Sequence, residues 1–259
     1  MKENAKPDGA RATSAEAHAQ SSAPPVRAAG ARFATTAPAK GDMNGRVEII
    51  RYWAPSRSDQ KPPMGGWSKR AFDVVVSAGA LILFAPLLLL IALIIRLDSR
   101  GPAIFRQERG GFNGKPFLIW KFRTMTVMEN RGIVQARPGD VRFTRLGAFL
   151  RGSSLDELPQ LVNVLRGDMS IIGPRPHALE HDAKFEKVDP RYPMRFDARP
   201  GLTGLAQVSG SRGPTPTDEK ILLRTGLDIE YVQAWSWRRD LKILWRTIVV
   251  LVRGASDAL

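Results

Sequence analysis

The apolar run from Phe72 to Ile95, FDVVVSAGALILFAPLLLLIALII, constrains this chain more than any other feature. It carries one charge, Asp73, at its edge. As a helix its 24 residues would extend about 36 Å, against a hydrocarbon core of about 30 Å. A straight transmembrane helix is the ordinary reading of such a run, and two features oppose it. Pro86 sits in the middle, where it removes a backbone donor and kinks a helix. Basic residues flank both ends, Lys69 and Arg70 before, then Arg96, Arg100, Arg106 and Arg109 after, and such flanks stay on the cytoplasmic side. A re-entrant hairpin that enters, breaks at Ala85–Pro86 and returns to the same face satisfies both signals. A straight span satisfies one. The length and the lack of polar groups argue against a buried helix of a soluble core.

The remainder bounds the partners. A net charge of +14 over 259 residues calls for an anionic partner: nucleic acid, anionic lipid headgroups or a phosphorylated substrate. With no cysteine there is no disulfide framework and no thiolate nucleophile or metal ligand. His177 and His181 are spaced i, i+4 but lack the Glu of a metalloprotease signature, so a metal role for them is disfavoured. Residues 1–65 are Ala, Pro, Ser, Gly and scattered charge without apolar period, which predicts a disordered tail. They contain no apolar segment of a secretory signal, and a short island at Val47–Trp53 reads as a strand or docking segment. These limits divide the chain into a tail at 1–65, a membrane hairpin at 66–100 and a catalytic region at 101–259.

The soluble part carries the chemistry. Ala103–Met125 reads as two short strands around Gly110-Gly111 and Asn113-Gly114, with Lys121 and Arg123 on one strand face. Two cations so placed could cradle a pyrophosphate, or simply face water. Residues 128–141 read as a polar loop, and Arg142–Leu150 as an amphipathic stretch. Ser154-x-x-Glu157 fits a capping box, and Leu158, Leu161, Val162 and Leu165 supply the helical stripe behind it. Asp156 and Glu157 then fall in a first helical turn, between Arg151 and Arg175. Acidic residues there often do no more than complement the helix dipole. The same position offers free N–H groups to an anion, and would hold both carboxylates ionised at low pKa, as a nucleophile and a Mg2+ ligand require. Both readings stand on the residues alone. Trp235–Arg253 combines Trp235, Trp237 and Trp245 with Arg238, Arg239, Lys242, Arg246 and Arg253, the pattern of an interfacial helix on anionic lipid or of a basic helix packed on a core.

Three runs decide the context. FRQERGGFNGKPFLIWKFRTM, LRGSSLDELPQLVNVLRGDMSIIGPRP and RPGLTGLAQVSG, in this order after a proline-broken apolar segment, resemble the bacterial sugar transferases. More narrowly they resemble the monotopic polyprenol-phosphate phosphoglycosyl transferases, over about Lys69 to Arg253. The resemblance implies two steps: a carboxylate takes sugar phosphate from a UDP-sugar and releases UMP, and undecaprenyl phosphate then accepts it. It implies Asp156 as nucleophile, Glu157 as its partner with the dyad holding Mg2+, and Lys121, Arg123, Arg151, Arg175 and Arg199 around the phosphates. Pro86 matches the residue that breaks the re-entrant helix. Family members often have Ser before this proline; Ala85 stands here. Asp228, Tyr231 and Trp235 recur in the family without a role. Larger members carry further membrane helices ahead of this region, so the chain resembles the short, catalytic-core form.

The expected fold is a mixed α/β one: a re-entrant helix, few strands and helices around a shallow site, on the cytoplasmic face of the bacterial inner membrane. With no G-x-G-x-x-G a Rossmann domain is not expected, with no D-x-D an ordinary metal-dependent glycosyltransferase is disfavoured, and no nucleic-acid motif occurs. Expected partners are a UDP-sugar, of glucose or galactose, undecaprenyl phosphate and anionic lipids. Oligomeric state has no signature in the sequence.

Overall fold

A computed structural model describes residues 62–126 and 140–252. The tail up to residue 61, the Val47–Trp53 island, nearly all of the polar loop and Arg253 lie outside the described residues.

The apolar run forms α1, Gly66–Asp98, with Pro86 inside it. Any change of direction at Pro86 is therefore a bend within one helix and not a loop between two. One edge of α1 is polar and buried: Lys69, Asp73 and Ser77 follow one another at i, i+4, i+8. Asp73 accepts from the Ile171 N–H and the Ser170 hydroxyl, both at 3.0 Å. Lys69 pairs with Asp240 at 2.6 Å, and Arg70 donates to the Val164 and Leu165 carbonyls, each at 2.6 Å. Further along, Ile91 and Ile95 pack with Phe122 and Leu150. Between these contacts Ile82, Leu83 and Leu89 are each more than 70% exposed, so α1 is not the buried helix of a soluble core.

Two small sheets follow. β1 (Ile104–Arg109) pairs antiparallel with β2 (Phe117–Phe122), as the glycine-rich turn predicts. β3 (Ser170–Ile172) pairs parallel with β4 (Gly201–Thr203). The mixed helix and strand content without a larger sheet excludes a Rossmann fold for the described residues. Around the sheets lie α2 (Arg145–Gly152), α3 (Gln160–Arg166), α4 (Leu179–Val188), α5 (Leu205–Val208), α6 (Asp218–Gln233) and α7 (Trp237–Val252). The main core joins Ile119 of β2, Leu161 and Val164 of α3, Ile171 and Ile172 of β3, Tyr231 of α6 and Ile243 of α7, with Phe72 and Val76 of α1 against it.

The expected capping box does not form. Ser154 adopts left-handed φ 62° and its side chain makes no cap; Leu155–Glu157 is a 3-10 turn, and the α-helix starts at Gln160 after Pro159. Pro159, which lacks an N–H, is tolerated because it precedes the helix. Asp156 and Glu157 thus stand on the turn joining α2 to α3.

α7 shows only part of the expected interfacial pattern. Trp235 donates to Asp240 at 3.0 Å and Trp237 packs edge-on to Phe72, so both face the protein. Trp245, with Leu241, Ile248, Leu251 and Val252, is exposed.

Candidate active site

β2 and α3 are pinned together by one amide. Asn163 accepts from the Trp120 N–H at 2.9 Å and donates to the Leu118 carbonyl at 2.7 Å, satisfying two backbone groups of β2. The link brings Lys121, next in β2, over the turn that carries the carboxylates. The loop after β3 brings Arg175. At its root Gly173 and Gly201 approach so closely that a Cβ on Gly201 would lie 2.1 Å from the Gly173 nitrogen.

The result is an asymmetric dyad. Glu157 Oε1 receives Lys121 Nζ at 2.7 Å and Arg175 Nη2 at 2.5 Å, and Arg175 Nη1 reaches Oε2 at 3.2 Å. Asp156 is 4% exposed, and among the described residues its carboxylate has no hydrogen-bond or ion-pair partner. The pKa values part accordingly. Burial works against ionising Glu157, but the charges of Arg175 and Lys121 hold it well below the usual carboxylate range. Burial pushes Asp156 up, opposed by Lys121 and reinforced by its neighbour Glu157. The expectation of two low pKa values therefore holds for Glu157 and is reversed for Asp156, because burial disfavours its charge more than the neighbouring cations favour it. Burial also lowers Lys121, whereas the Glu157 charge raises Arg175. Such a site can present one buried carboxylate to an electrophile while its neighbour is held fixed.

Of the five expected phosphate cations, the structure brings Lys121 and Arg175 onto the dyad. Arg151 of α2 stands near enough for its charge to favour ionised Asp156, and packs against the Phe143 ring at 5.2 Å. Arg123 goes elsewhere: its guanidinium donates to the carbonyls of Ile95, Ser99 and Arg100 at the end of α1. Strand alternation ends at Phe122, so the shared face expected for Lys121 and Arg123 is lost. Arg199 donates to the Gly167 carbonyl at 3.0 Å, and the charges it senses are Arg70 and Asp73, not the dyad. Two arginines were not expected. Arg212 donates to the Ser154 hydroxyl and feels Glu157, Asp156 and Arg175. Arg109, pushed down to about 10 by burial, also feels Arg175 and Glu157. Arg109 stood in the sequence as a basic flank of the apolar run, and Arg212 lies between Gly210 and Gly213, where no periodicity marks it.

A metal has few donors here. No cluster of three or more His or acidic side chains occurs among the described residues. Mg2+ is commonly held by one or two carboxylates plus phosphate oxygens and water, so a dyad with one unpartnered carboxylate fits it. His177 meets Tyr192 Oη at 2.7 Å and packs edge-on to Phe185, a structural setting, and His181 stacks on Phe185. The residues without a role now have contacts. Asp228 holds Arg195, while Tyr231 at 2.8 Å and Trp235 at 3.0 Å both donate to Asp240, the partner of Lys69.

A long apolar helix with a solvent-exposed apolar side, joined to an α/β domain with a carboxylate dyad among cations, fits enzymes working on phosphates at a bilayer. The chain belongs to the bacterial sugar transferase family, whose profile matches residues 64–254. It is 57% identical over 185 residues to a UDP-glucose:undecaprenyl-phosphate glucose-1-phosphate transferase of Caulobacter vibrioides, covering 71% of this chain and 69% of that protein. It is 50% identical over 181 residues to the protein of that name in Escherichia coli, covering 70% of this chain and 39% of that protein. It is also 46% identical over 192 residues to an exopolysaccharide production protein of Rhizobium leguminosarum, covering 72% of this chain and 96% of that one. The match thus spans well under half of the Escherichia coli relative.

Proposed function

We propose that this protein transfers a sugar 1-phosphate, glucose 1-phosphate in the first instance, from a UDP-sugar to undecaprenyl phosphate and releases UMP, as a membrane step of exopolysaccharide assembly. The contrast between Glu157, gripped by two cations, and unpartnered Asp156 carries this reading. The relatives' names supply the substrates, with glucose favoured by those at 50% identity or more.

In the first step an Asp156 oxygen attacks the β-phosphorus of the UDP-sugar. The bond from that phosphorus to the bridging oxygen breaks, UMP leaves with the electron pair, and the phosphosugar remains on Asp156 as an acyl phosphate. In the second, an oxygen of undecaprenyl phosphate attacks the same phosphorus, and the Asp156 carboxylate departs. Arg175 and Lys121 hold Glu157 in place and, with Arg151, balance charge on the transferring phosphoryl group. Mg2+, when bound at Asp156 and Glu157, neutralises the diphosphate and lowers the repulsion between it and the attacking carboxylate. Arg123 and Arg199 act at the membrane helix and the α3 end instead of on phosphate.

The membrane reading has support of its own. Lys69, Arg70 and Asp73 bond the start of α1 to the domain, and Arg123 bonds its end to the same domain. A helix crossing the bilayer would part its ends by the full hydrocarbon thickness. A re-entrant α1, bent at Ala85–Pro86 with both ends on the cytoplasmic face, keeps both sets of bonds. The exposed apolar side of α7, with Lys242 and Arg246 beside it, then rests on anionic lipid.

The test is the nucleotide released when purified enzyme meets Mg2+, undecaprenyl phosphate and a panel of UDP-sugars. UMP appearing with UDP-glucose is expected. UDP would mean ordinary glycosyl transfer and overturn the role of Asp156.

A further inference from the structure

Beneath the Arg175 loop lies a buried charge network that the reaction above does not use. Arg195, in the 3-10 segment Tyr192–Asp197, is 2% exposed. Its Nε and Nη2 donate to Asp228 Oδ2 of α6 at 3.1 and 2.8 Å. Its Nη1 donates to Tyr192 Oη at 2.8 Å and lies 3.2 Å from His177 Nδ1. The second donor of Nη2 goes to the main-chain carbonyl of Arg175 itself. Asp228 is 1% exposed, and its one ion-pair partner among the described residues is Arg195.

A buried ion pair is poor evidence of stabilisation, since well-packed apolar side chains often do as well. The position of this pair is the informative part. The loop Gly173–His177 contains two prolines, which donate no N–H, so it cannot brace itself by a local ladder. Its carbonyls are instead held from outside: Pro174 by the Gly201 N–H at 2.9 Å, Arg175 by Arg195, and His177 by the Gly110 N–H at 3.4 Å. Of these holds, Arg195 alone acts on the residue whose guanidinium grips Glu157. A planar fork fixed on Asp228 by two bonds is a rigid donor, so the carbonyl and the Arg175 side chain inherit its position.

We propose that Arg195, oriented by Asp228, is a positioning residue for phosphosugar transfer, fixing Arg175 and through it Glu157. This rests on the two-step reading above. Arg195 touches no substrate in it. A displacement of about 1 Å in a group that must meet a transferring phosphoryl costs on the order of a hundredfold in rate, while ground-state binding is spread over many contacts.

The experiment compares the full-length wild type with Asp228→Asn and Arg195→Lys, in UMP release from UDP-glucose before and after adding undecaprenyl phosphate. Without acceptor, the size of the first UMP burst counts intact sites and its rate reports the chemical step. Both variants should keep the wild-type burst size and a UDP-glucose KM within about threefold, and lose ten- to a hundredfold in burst rate and kcat. Arg195→Lys, which keeps the charge without the fork, should not restore the rate. A reduced burst of normal rate would assign the pair to folding alone and overturn the proposal, as would an unchanged rate in both variants. Should Arg195→Lys fail to fold, Asp228→Asn, which keeps shape and an acceptor oxygen, decides the matter. Absence of a burst in the wild type would count against the covalent step. The kcat per folded protein and the KM then carry the comparison in its place.

Discussion

At the scale of single residues, two adjacent carboxylates share a turn and differ in almost everything else. Glu157 is held by Lys121 and Arg175, while Asp156 has no such partner among the described residues. Asp156→Asn removes the attacking oxygen's charge with little change of shape, so turnover should fall below detection while the melting temperature and membrane association stay near wild type. Normal turnover would sink the mechanism. Asp182 gives a pH signature outside the dyad. Burial pushes its carboxyl up to about 6, against the ordinary 3.8, although Arg195 and the Tyr192 hydroxyl oppose the rise. Between those values the folded protein binds the extra proton, so stability declines as pH rises from about 4 to 6, by at most about 3 kcal/mol. In Asp182→Asn this segment of the stability–pH curve should flatten; denaturant titrations at pH 4, 5 and 6 would reveal it.

At the scale of elements, the end of α1 is tied by a side chain from the segment just after β2. Arg123 donates to the carbonyls of Ile95 and Ser99 at that end and of Arg100 just beyond, adding to the backbone bond from the Ser99 N–H to Ile95. Arg123→Ala should destabilise the detergent-solubilised protein by about 1.5–3 kcal/mol, by the usual worth of hydrogen bonds from a charged group. UDP-glucose KM should move little, since Arg123 lies off the phosphates in this reading. A large KM rise without a loss of stability would return Arg123 to the substrate. α7 makes a separate prediction. Trp245 is 67% exposed on its apolar side, and Trp245→Asp should weaken binding of the protein to vesicles containing anionic lipid without lowering thermal stability. Unchanged partitioning would leave α7 in water.

The whole molecule turns on where the two ends of α1 lie. The chain has no cysteine, so single cysteines report topology without background. Trp67→Cys and Asp98→Cys, placed near its ends, should both react with a membrane-impermeant maleimide in inside-out vesicles and neither in right-side-out cells. Labelling from opposite faces would make α1 a spanning helix and break the polar ties at one end. Those ties join Lys69 to Asp240 and Arg123 to Ser99, residues far apart in the chain and near the same domain.

Local physics makes much of this legible in the sequence. A long apolar run yields a helix because nothing polar competes for its backbone, and alternation around Gly-rich residues yields the β1–β2 hairpin. The adjacency of Asp156 and Glu157 among basic motifs pointed to phosphate chemistry, and the three runs pointed to the family. Where the reading failed, the deciding contact was distant. Ser154 looked like a cap, but left-handed φ and Arg212, 58 positions away, gave it another task. Arg123 and Arg199 match phosphate motifs, and in the structure their guanidinium groups bond the Ser99 and Gly167 carbonyls at the ends of α1 and α3, contacts no local pattern foretells. The pairing of Arg195 with Asp228 across 33 residues has no periodicity to betray it. Sequence sets which segments can hide from water and which side chains can carry charge. Only the tertiary structure decides which buried charge finds which partner, because desolvation makes that choice at contacts the chain order does not encode.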